Sequence, residues 1–261
     1  MKTIILCGGR GTRLKEETEF KPKPMVLIGN RPIIWHIMKI YAHYGYNEFI
    51  LALGYKGDMI KDYFLNNKTF SNDFRFDIAT GEINFFDNKS DNFKITFADT
   101  GLESLTGERI LRAKKYIEED EFMVTYGDGV ADINIKKLVD FHREQKTKGT
   151  ITGVHPYSKY GLVRMDKEEK LVEGFDQKPL LYDYASGGFM IFNKEVFDYL
   201  DNGPMENAFL KLVKEKQLSV FKHDGFWRGM DTYLEMEELN KLWSVERPWA
   251  IWEKDEEKFK L

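Results

Sequence analysis

Short runs of apolar, β-branched and aromatic residues alternate along the chain with stretches whose apolar positions recur every three or four residues. Lys2 to Cys7 (KTIILC) is a short β-branched run followed directly by Gly8, Gly9 and Gly11, the pattern of a buried strand that ends in a loop. Pro22 and Pro24 keep the next stretch extended, so this loop is expected to reach Met25. From Arg31 to Tyr44 the residues Ile33, Ile34, Ile37, Met38, Ile40 and Tyr41 share one helical face, with Gly45 placed to close the helix. Glu48 to Leu53 then predicts a strand, Lys56 to Phe64 a helix, Phe93 to Asp99 a strand and Gly107 to Ile117 a helix. Glu121 to Tyr126 is a further buried strand, stopped by Gly127, Asp128 and Gly129. This alternation predicts an α/β fold: a mixed, mostly parallel central sheet with helices on both sides. Phe70 to Asn88 is polar and aromatic with a Thr-Gly turn signal, and reads as an inserted hairpin or long loop.

After a helix at Ile135 to Glu144 the pattern changes from strand–helix to strand–strand. Thr150 to Val154 is a strand, and Gly161 to Phe175 alternates as an antiparallel hairpin turning near Lys167 to Lys170. A strand at Tyr184 to Phe192, helices near Lys194 to Leu200 and Met205 to Lys216, a strand at Leu218 to Lys222 and a helix from Thr232 to Leu242 follow. Residues 1–252 contain no internal repeat and no low-complexity linker, so one continuous domain is expected, followed by a charged tail over residues 253–261. Trp249 and Trp252, just before that tail, are candidates for packing against a neighbouring subunit.

Composition narrows the partners. Lysine and arginine number 39 against 43 aspartates and glutamates, with no block of either sign, so a dedicated nucleic-acid binder is disfavoured. An apolar fraction of 42% excludes a disordered chain. No apolar run approaches the ~18 residues of a membrane helix, and the chain opens on a strand rather than a signal peptide; a cytoplasmic protein without a membrane partner is expected. The single cysteine, Cys7, excludes internal disulfides and reads as a small packed hydrophobe. The five histidines show no metal-ligand spacing.

The candidate chemistry lies at strand ends. In LCGGRGTRL, residues 6 to 14, a glycine-rich loop between strand and helix can turn backbone amides toward phosphate oxygens, and Arg13 adds a fixed positive fork. No Gly-Lys-Ser/Thr follows, and Leu14 stands where a dinucleotide fingerprint needs a small residue, so neither a Walker loop nor a dinucleotide site is indicated. Lys21-Pro22-Lys23-Pro24 presents two ammonium groups on a stiffened backbone beside that loop. Asp128, between two glycines, and Asp231, just before a helix, are carboxylates of the kind that bind Mg²⁺ with substrate phosphates; a plain turn and a helix N-cap are their respective structural alternatives.

Taken together, GGRGTRL followed by KPKPM, the run RPIIWHIMKIYAHYGYNEFILALGYKGDMIKDYF, DTGLESLTGERI, YGDGVADIN and HDGFWRGMDT resemble the sugar-1-phosphate nucleotidyltransferases, and within them the glucose-1-phosphate cytidylyltransferases. The resemblance implies a Rossmann-like nucleotidyltransferase fold, with a nucleotide-binding part over about 1–130 and an acceptor-binding part over about 131–252. It implies CTP and a phosphorylated small molecule as partners, Mg²⁺ as cofactor, a homo-oligomer, and a product that feeds surface polysaccharide synthesis. Residue by residue, it places Leu6, Gly8, Gly9, Gly11, Thr12, Arg13, Lys23, Thr106, Arg109 and Gly127 on the nucleotide, with Arg13 and Lys23 catalytic. Asp128 and Asp231 become metal ligands, and Gly161, Gln177, Lys178, Ser186 and Gly187 meet the acceptor. The acceptor side departs from the family pattern: Gln177 replaces a glutamate and Ser186 an asparagine. Those changes predict a roomier pocket with a different polar edge. They keep open a cytidylyltransferase acting on another phosphorylated or phosphonylated acceptor; a non-catalytic domain that binds nucleotide sugars is the alternative of another class.

Overall fold

The computed structural model describes residues 1–87 and 90–253; the tail beyond Glu253 lies outside the described residues. The strands are β1 (Thr3–Cys7), β2 (Glu48–Leu53), β3 (Lys94–Asp99), β4 (Glu121–Tyr126), β5 (Gly129–Ala131), β6 (Gly149–Val154), β7 (Leu162–Met165), β8 (Val172–Asp176), β9 (Ala185–Asn193), β10 (Leu218–His223) and β11 (Trp227–Gly229). Between them run helices α1 (Ile33–His43), α2 (Gly57–Leu65), α3 (Thr106–Ala113), α4 (Ile135–Gln145), α5 (Glu206–Lys214) and α6 (Tyr233–Val245). The insert after α2 forms a small hairpin, Phe74–Phe76 against Ile83–Phe85.

Seven strands make one sheet in the order β10-β6-β9-β4-β1-β2-β3. β1 lies parallel to β2 and β4, β2 to β3, and β6 to β10, whereas β9 runs antiparallel to both β6 and β4. The mixed, mostly parallel sheet expected from the alternation of strands and helices is therefore present, with β9 as the reversed strand. All five residues of β1 are buried, as a central strand covered on both faces requires. Ile5 and Cys7 pack with Ile34, Ile37, Tyr41, Leu138 and Leu239 of α1, α4 and α6 on one face. Ile4 and Leu6 pack with Ile110, Ala113 and Leu212 of α3 and α5 on the other.

The two tryptophans expected at a subunit boundary belong instead to this chain's own core. Trp249 is fully buried and Trp252 nearly so. Trp249 stacks against Phe226 and Trp243 and donates to His36 Nδ1 at 3.3 Å. The final segment thus closes over α1.

The chain leaves β1 to build β2 and β3 on one side, then crosses to place β4 on the other. The C-terminal ends of β1 and β4 therefore flank the switch point of the sheet, where open α/β sheets leave a crevice.

Candidate active site

Gly8 to Gly11 follow directly from β1 into that crevice. Gly11 has φ +64°, and a Cβ there would sit 2.8 Å from Thr18 Cγ2. Thr18 in turn donates its hydroxyl to Gly11 O and Leu14 O, at 3.0 and 2.8 Å, which pins the loop from below. A Cβ on Gly9, by contrast, would meet no protein atom within 4 Å. The protein's own packing places no limit on a side chain at Gly9, which leaves open space above the loop.

Behind the loop stands Arg109, 4% exposed. Its guanidinium donates to Leu53 O, Thr100 Oγ1 and Gly101 O through Nη1, and to Gly8 O and Leu102 O through Nη2. A Cβ on Gly8 would lie 2.1 Å from the guanidinium carbon, so the glycine permits this close approach. Burial pulls Arg109 below its ordinary pKa. The arginine therefore ties together the ends of β1, β2 and β3, and its donors point at carbonyls rather than into open space.

The resulting cleft, about 340 Å³, is lined by every residue assigned to the nucleotide except Thr12, which is exposed at its rim, and also by Ser104, Leu105, Tyr126 and Asp128. None of these four was read as a nucleotide residue from the sequence, Asp128 having been assigned to the metal. Tyr126 is the last residue of β4, directly before the Gly127-Asp128-Gly129 stop, and that strand-end position was the available signal. Its hydroxyl donates to Glu206 at the start of α5 at 2.6 Å. Cys7 sits beneath the cleft floor, and burial pushes its thiol well above the ordinary range, consistent with a packed hydrophobe.

The two carboxylates meet through a ribbon that the sequence did not reveal. β5 and β11 pair antiparallel, Gly129 opposite Gly229, and the Met230 amide donates to Asp128 O at 2.8 Å. This register sets Asp231 beside Asp128. The N-cap of α6 is Thr232, not Asp231: the Thr232 hydroxyl receives the Glu235 amide, while Glu235 Oε2 accepts the amides of Asp231 and Thr232 at 2.7 and 2.8 Å. The capping box thereby leaves the Asp231 carboxylate uncommitted to the helix, so it can face Lys23 and Arg13.

Between the carboxylates lies the Lys23 ammonium, 2.6 Å from Asp128 Oδ2 and 2.6 Å from Asp231 Oδ1. Burial alone would lower the Lys23 pKa, but the two carboxylates outweigh it and hold the group above its ordinary value. Asp231 also takes Arg13 at 2.7 Å and Lys159 at 3.9 Å. Burial would raise its carboxyl, yet Lys23 first, then Arg13 and Lys159, pull it below the ordinary carboxylate range. Two carboxylates focused on one cation, at the edge of a phosphate-sized cleft, form a donor set that suits Mg²⁺ shared with substrate phosphates. Lys21 points elsewhere and pairs with Glu17 at 2.8 Å.

On the far side of the carboxylates, Ser186 and Gly187 line a pocket of about 100 Å³ with Tyr126 and Trp227. Trp227 donates its indole N–H to Gly187 O at 2.8 Å. A wider cavity of about 550 Å³ beyond Asp231 includes Lys178, Lys159 and Arg228, whose guanidinium lies 3.8 Å from the Tyr157 ring centre. Gln177 and Gly161 line none of these cavities: they flank the β7–β8 hairpin, where Gln177 is exposed and Gly161 packs against the Phe175 ring. Lys159, Tyr157 and Arg228 were not assigned a role from the sequence, although Arg228 sits in the HDGFWRGMDT run directly before Gly229.

Comparison with known proteins agrees with this geometry. The family model described as nucleotidyl transferase matches residues 2–232. A protein of Bacillus subtilis (strain 168) named probable glucose-1-phosphate cytidylyltransferase is 43% identical over 97% of this chain and 100% of its own length. The glucose-1-phosphate cytidylyltransferase of Salmonella typhi is 41% identical over the same shares. Among solved structures, UDP-glucose pyrophosphorylase complexed with UDP-glucose superposes with a TM-score of 0.68 at 17% identity, covering 94% of this chain and 99% of that one. With its switch-point cleft, its glycine loop and a family match across nearly the whole chain, this protein belongs to the nucleotidyl transferase family.

Proposed function

We propose that the protein joins CTP and glucose 1-phosphate to give CDP-glucose and pyrophosphate. The observation that carries this reading is the convergence of Gly8, Gly9, Gly11, Arg13, Lys23 and Asp128 on one cleft, with Asp231 joined to it through Lys23 and Arg13. The choice of cytidine and glucose rests on the near-full-length identity to proteins of that name. Gln177, solvent-exposed and outside the cavities, gives no reason to prefer another acceptor. Retention of both carboxylates with Lys23 also disfavours a domain that only binds.

In this reading a phosphate oxygen of the sugar phosphate attacks the α-phosphorus of CTP; that P–O bond forms as the bond to the β-phosphate oxygen breaks, and pyrophosphate leaves. The nucleophile is already an anion, so the chain need supply no strong base. Its task is to bring anions together in line. The glycine loop would receive the triphosphate on backbone amides, and Lys23 and Arg13 would meet charge that grows in the transition state. Lys178 and Lys159 would hold the incoming phosphate from the acceptor side. Mg²⁺ held by Asp128 and Asp231 would supply charge neutralisation between the phosphates. A pyrophosphate-release assay over four nucleoside triphosphates and a panel of sugar 1-phosphates tests the assignment. The highest kcat/KM is expected for CTP with glucose 1-phosphate, and a clear preference for another pair overturns it.

A further inference from the structure

The oxygens that would ligate a divalent cation are already engaged by this chain's own cations. Asp128 Oδ2 and Asp231 Oδ1 both hold Lys23 Nζ, and Asp231 Oδ2 holds Arg13 Nη1 with Lys159 Nζ behind it. Arg13 and Lys159 are exposed side chains, 67% and 58% accessible, free to swing into solvent. Lys23 is different: its side chain is 10% accessible, and its Cβ packs close enough to Gly11 that a Cβ there would sit 3.3 Å away. Its ammonium can leave the carboxylates only into the cleft that the glycine loop lines.

We infer that Lys23 is an internal latch: in the nucleotide-free protein its ammonium occupies the cation position between Asp128 and Asp231, excludes the divalent metal, and yields it only when a triphosphate offers a replacement anion. A metal cannot share both carboxylates with the ammonium, because like charges would face each other across the same oxygens. A phosphate group entering the cleft changes that balance, since it attracts the ammonium away and brings its own divalent cation. Metal and nucleotide thus become coupled ligands, each raising the affinity for the other through one side chain. The same lysine would then serve twice, first as place-holder for the metal and afterwards on the phosphate. The latch presupposes the metal site proposed above.

Mn²⁺ titration of the nucleotide-free protein, followed by the electron paramagnetic resonance signal of free Mn²⁺, measures the exclusion directly. Lys23→Met is expected to bind one Mn²⁺ at least ~10-fold more tightly than wild type, within the usual range of such couplings. Asp128→Asn added to Lys23→Met is expected to remove that gain. Thermal melts give an independent reading: Lys23→Met takes from Asp128 the cation described for it and leaves Asp231 with Arg13 and Lys159, so its Tm falls without metal and recovers with Mg²⁺, while the wild-type Tm stays insensitive to Mg²⁺. The wild-type titration alone suffices should the variant not fold: Mn²⁺ uptake as tight without CTP as with it overturns the latch, as does a folded Lys23→Met that gains no affinity. Pyrophosphate release that persists in chelator refutes the metal reading itself; release lost in chelator with equal Mn²⁺ affinities refutes the latch alone.

Discussion

Replacing Arg109 separates two roles that a buried cation beside a nucleotide cleft can play: charge for the phosphates, or a rigid brace for the loop that holds them. Arg109→Met keeps most of the aliphatic volume and removes every donor. Of the five acceptors, Gly8 O keeps the Tyr55 amide at 3.1 Å, and Leu53 O keeps the Thr100 amide and hydroxyl at 3.0 and 2.6 Å. Thr100 Oγ1 keeps that same bond as donor. Gly101 O and Leu102 O, now 2.7 and 3.2 Å from the guanidinium, lose the hydrogen bond described for them. An orphaned buried acceptor costs about 1–3 kcal/mol. These two are only part-buried, and Leu102, half exposed, can recruit water, so the predicted loss is about 1–3 kcal/mol. Urea unfolding monitored by tryptophan fluorescence measures it. Arg109→Lys keeps the charge but offers a single compact ammonium in place of a planar fork, so it should recover less than half of the loss. CTP affinity should fall with both variants as the Gly8 end of the loop is released. A folded Arg109→Lys within ~0.5 kcal/mol of wild type, against a crippled Arg109→Met, would refute the brace and favour charge.

Asp128→Asn and Asp231→Asn should each abolish turnover while leaving the fold intact, because each removes one carboxylate from the pair; pyrophosphate release and circular dichroism check both halves of that statement. Lys23→Ala should lose far more kcat than nucleotide affinity, whereas Lys21→Ala, whose ammonium pairs with Glu17, should stay near wild type; the reverse order means the wrong lysine faces the phosphate. His36 is fully buried, donates from Nε2 to Ile28 O at 3.0 Å and accepts from Trp249 at Nδ1, so burial lowers its pKa from 6.5 to about 4. The unfolded chain therefore binds the proton more readily, and stability present above pH 6.5 is lost as pH falls toward 4, by on the order of 3 kcal/mol. Urea midpoints at pH 7 and pH 4 test this, and a His36→Leu variant with an unchanged pH slope would contradict it.

How much of the molecule could be read from its sequence follows from the range of each signal. The strands of the parallel sheet and the faces of α1 and α4 are local periodicities, and the glycine loop is a local break between two of them. All of these were legible. The carboxylate pair was only half legible, since Asp128 and Asp231 each end a recognisable segment, but their meeting depends on β5 and β11, three residues each and too short to alternate. One local signal was available and misread: Thr232-Tyr233-Leu234-Glu235 is a capping-box spacing, which assigns the N-cap to Thr232 and frees Asp231. Trp249 and Trp252 were misplaced for the opposite reason, because a core closed by a segment more than 200 residues from His36 leaves no periodic trace.

The ribbon has a consequence for how the site assembles. Asp128 arrives with β4 in the centre of the sheet, whereas Asp231 hangs between β11 and α6, outside the main sheet, and is held by the Met230–Asp128 backbone bond and the Glu235 cap. The nucleotide cleft can form from the main sheet, α3 and the Lys23–Pro24 segment without the ribbon, but the cation position cannot. Breaking the ribbon or the cap should therefore release the metal ligand while leaving the glycine loop and Arg109 in place, so nucleotide binding and turnover should separate along the boundary between sheet and ribbon.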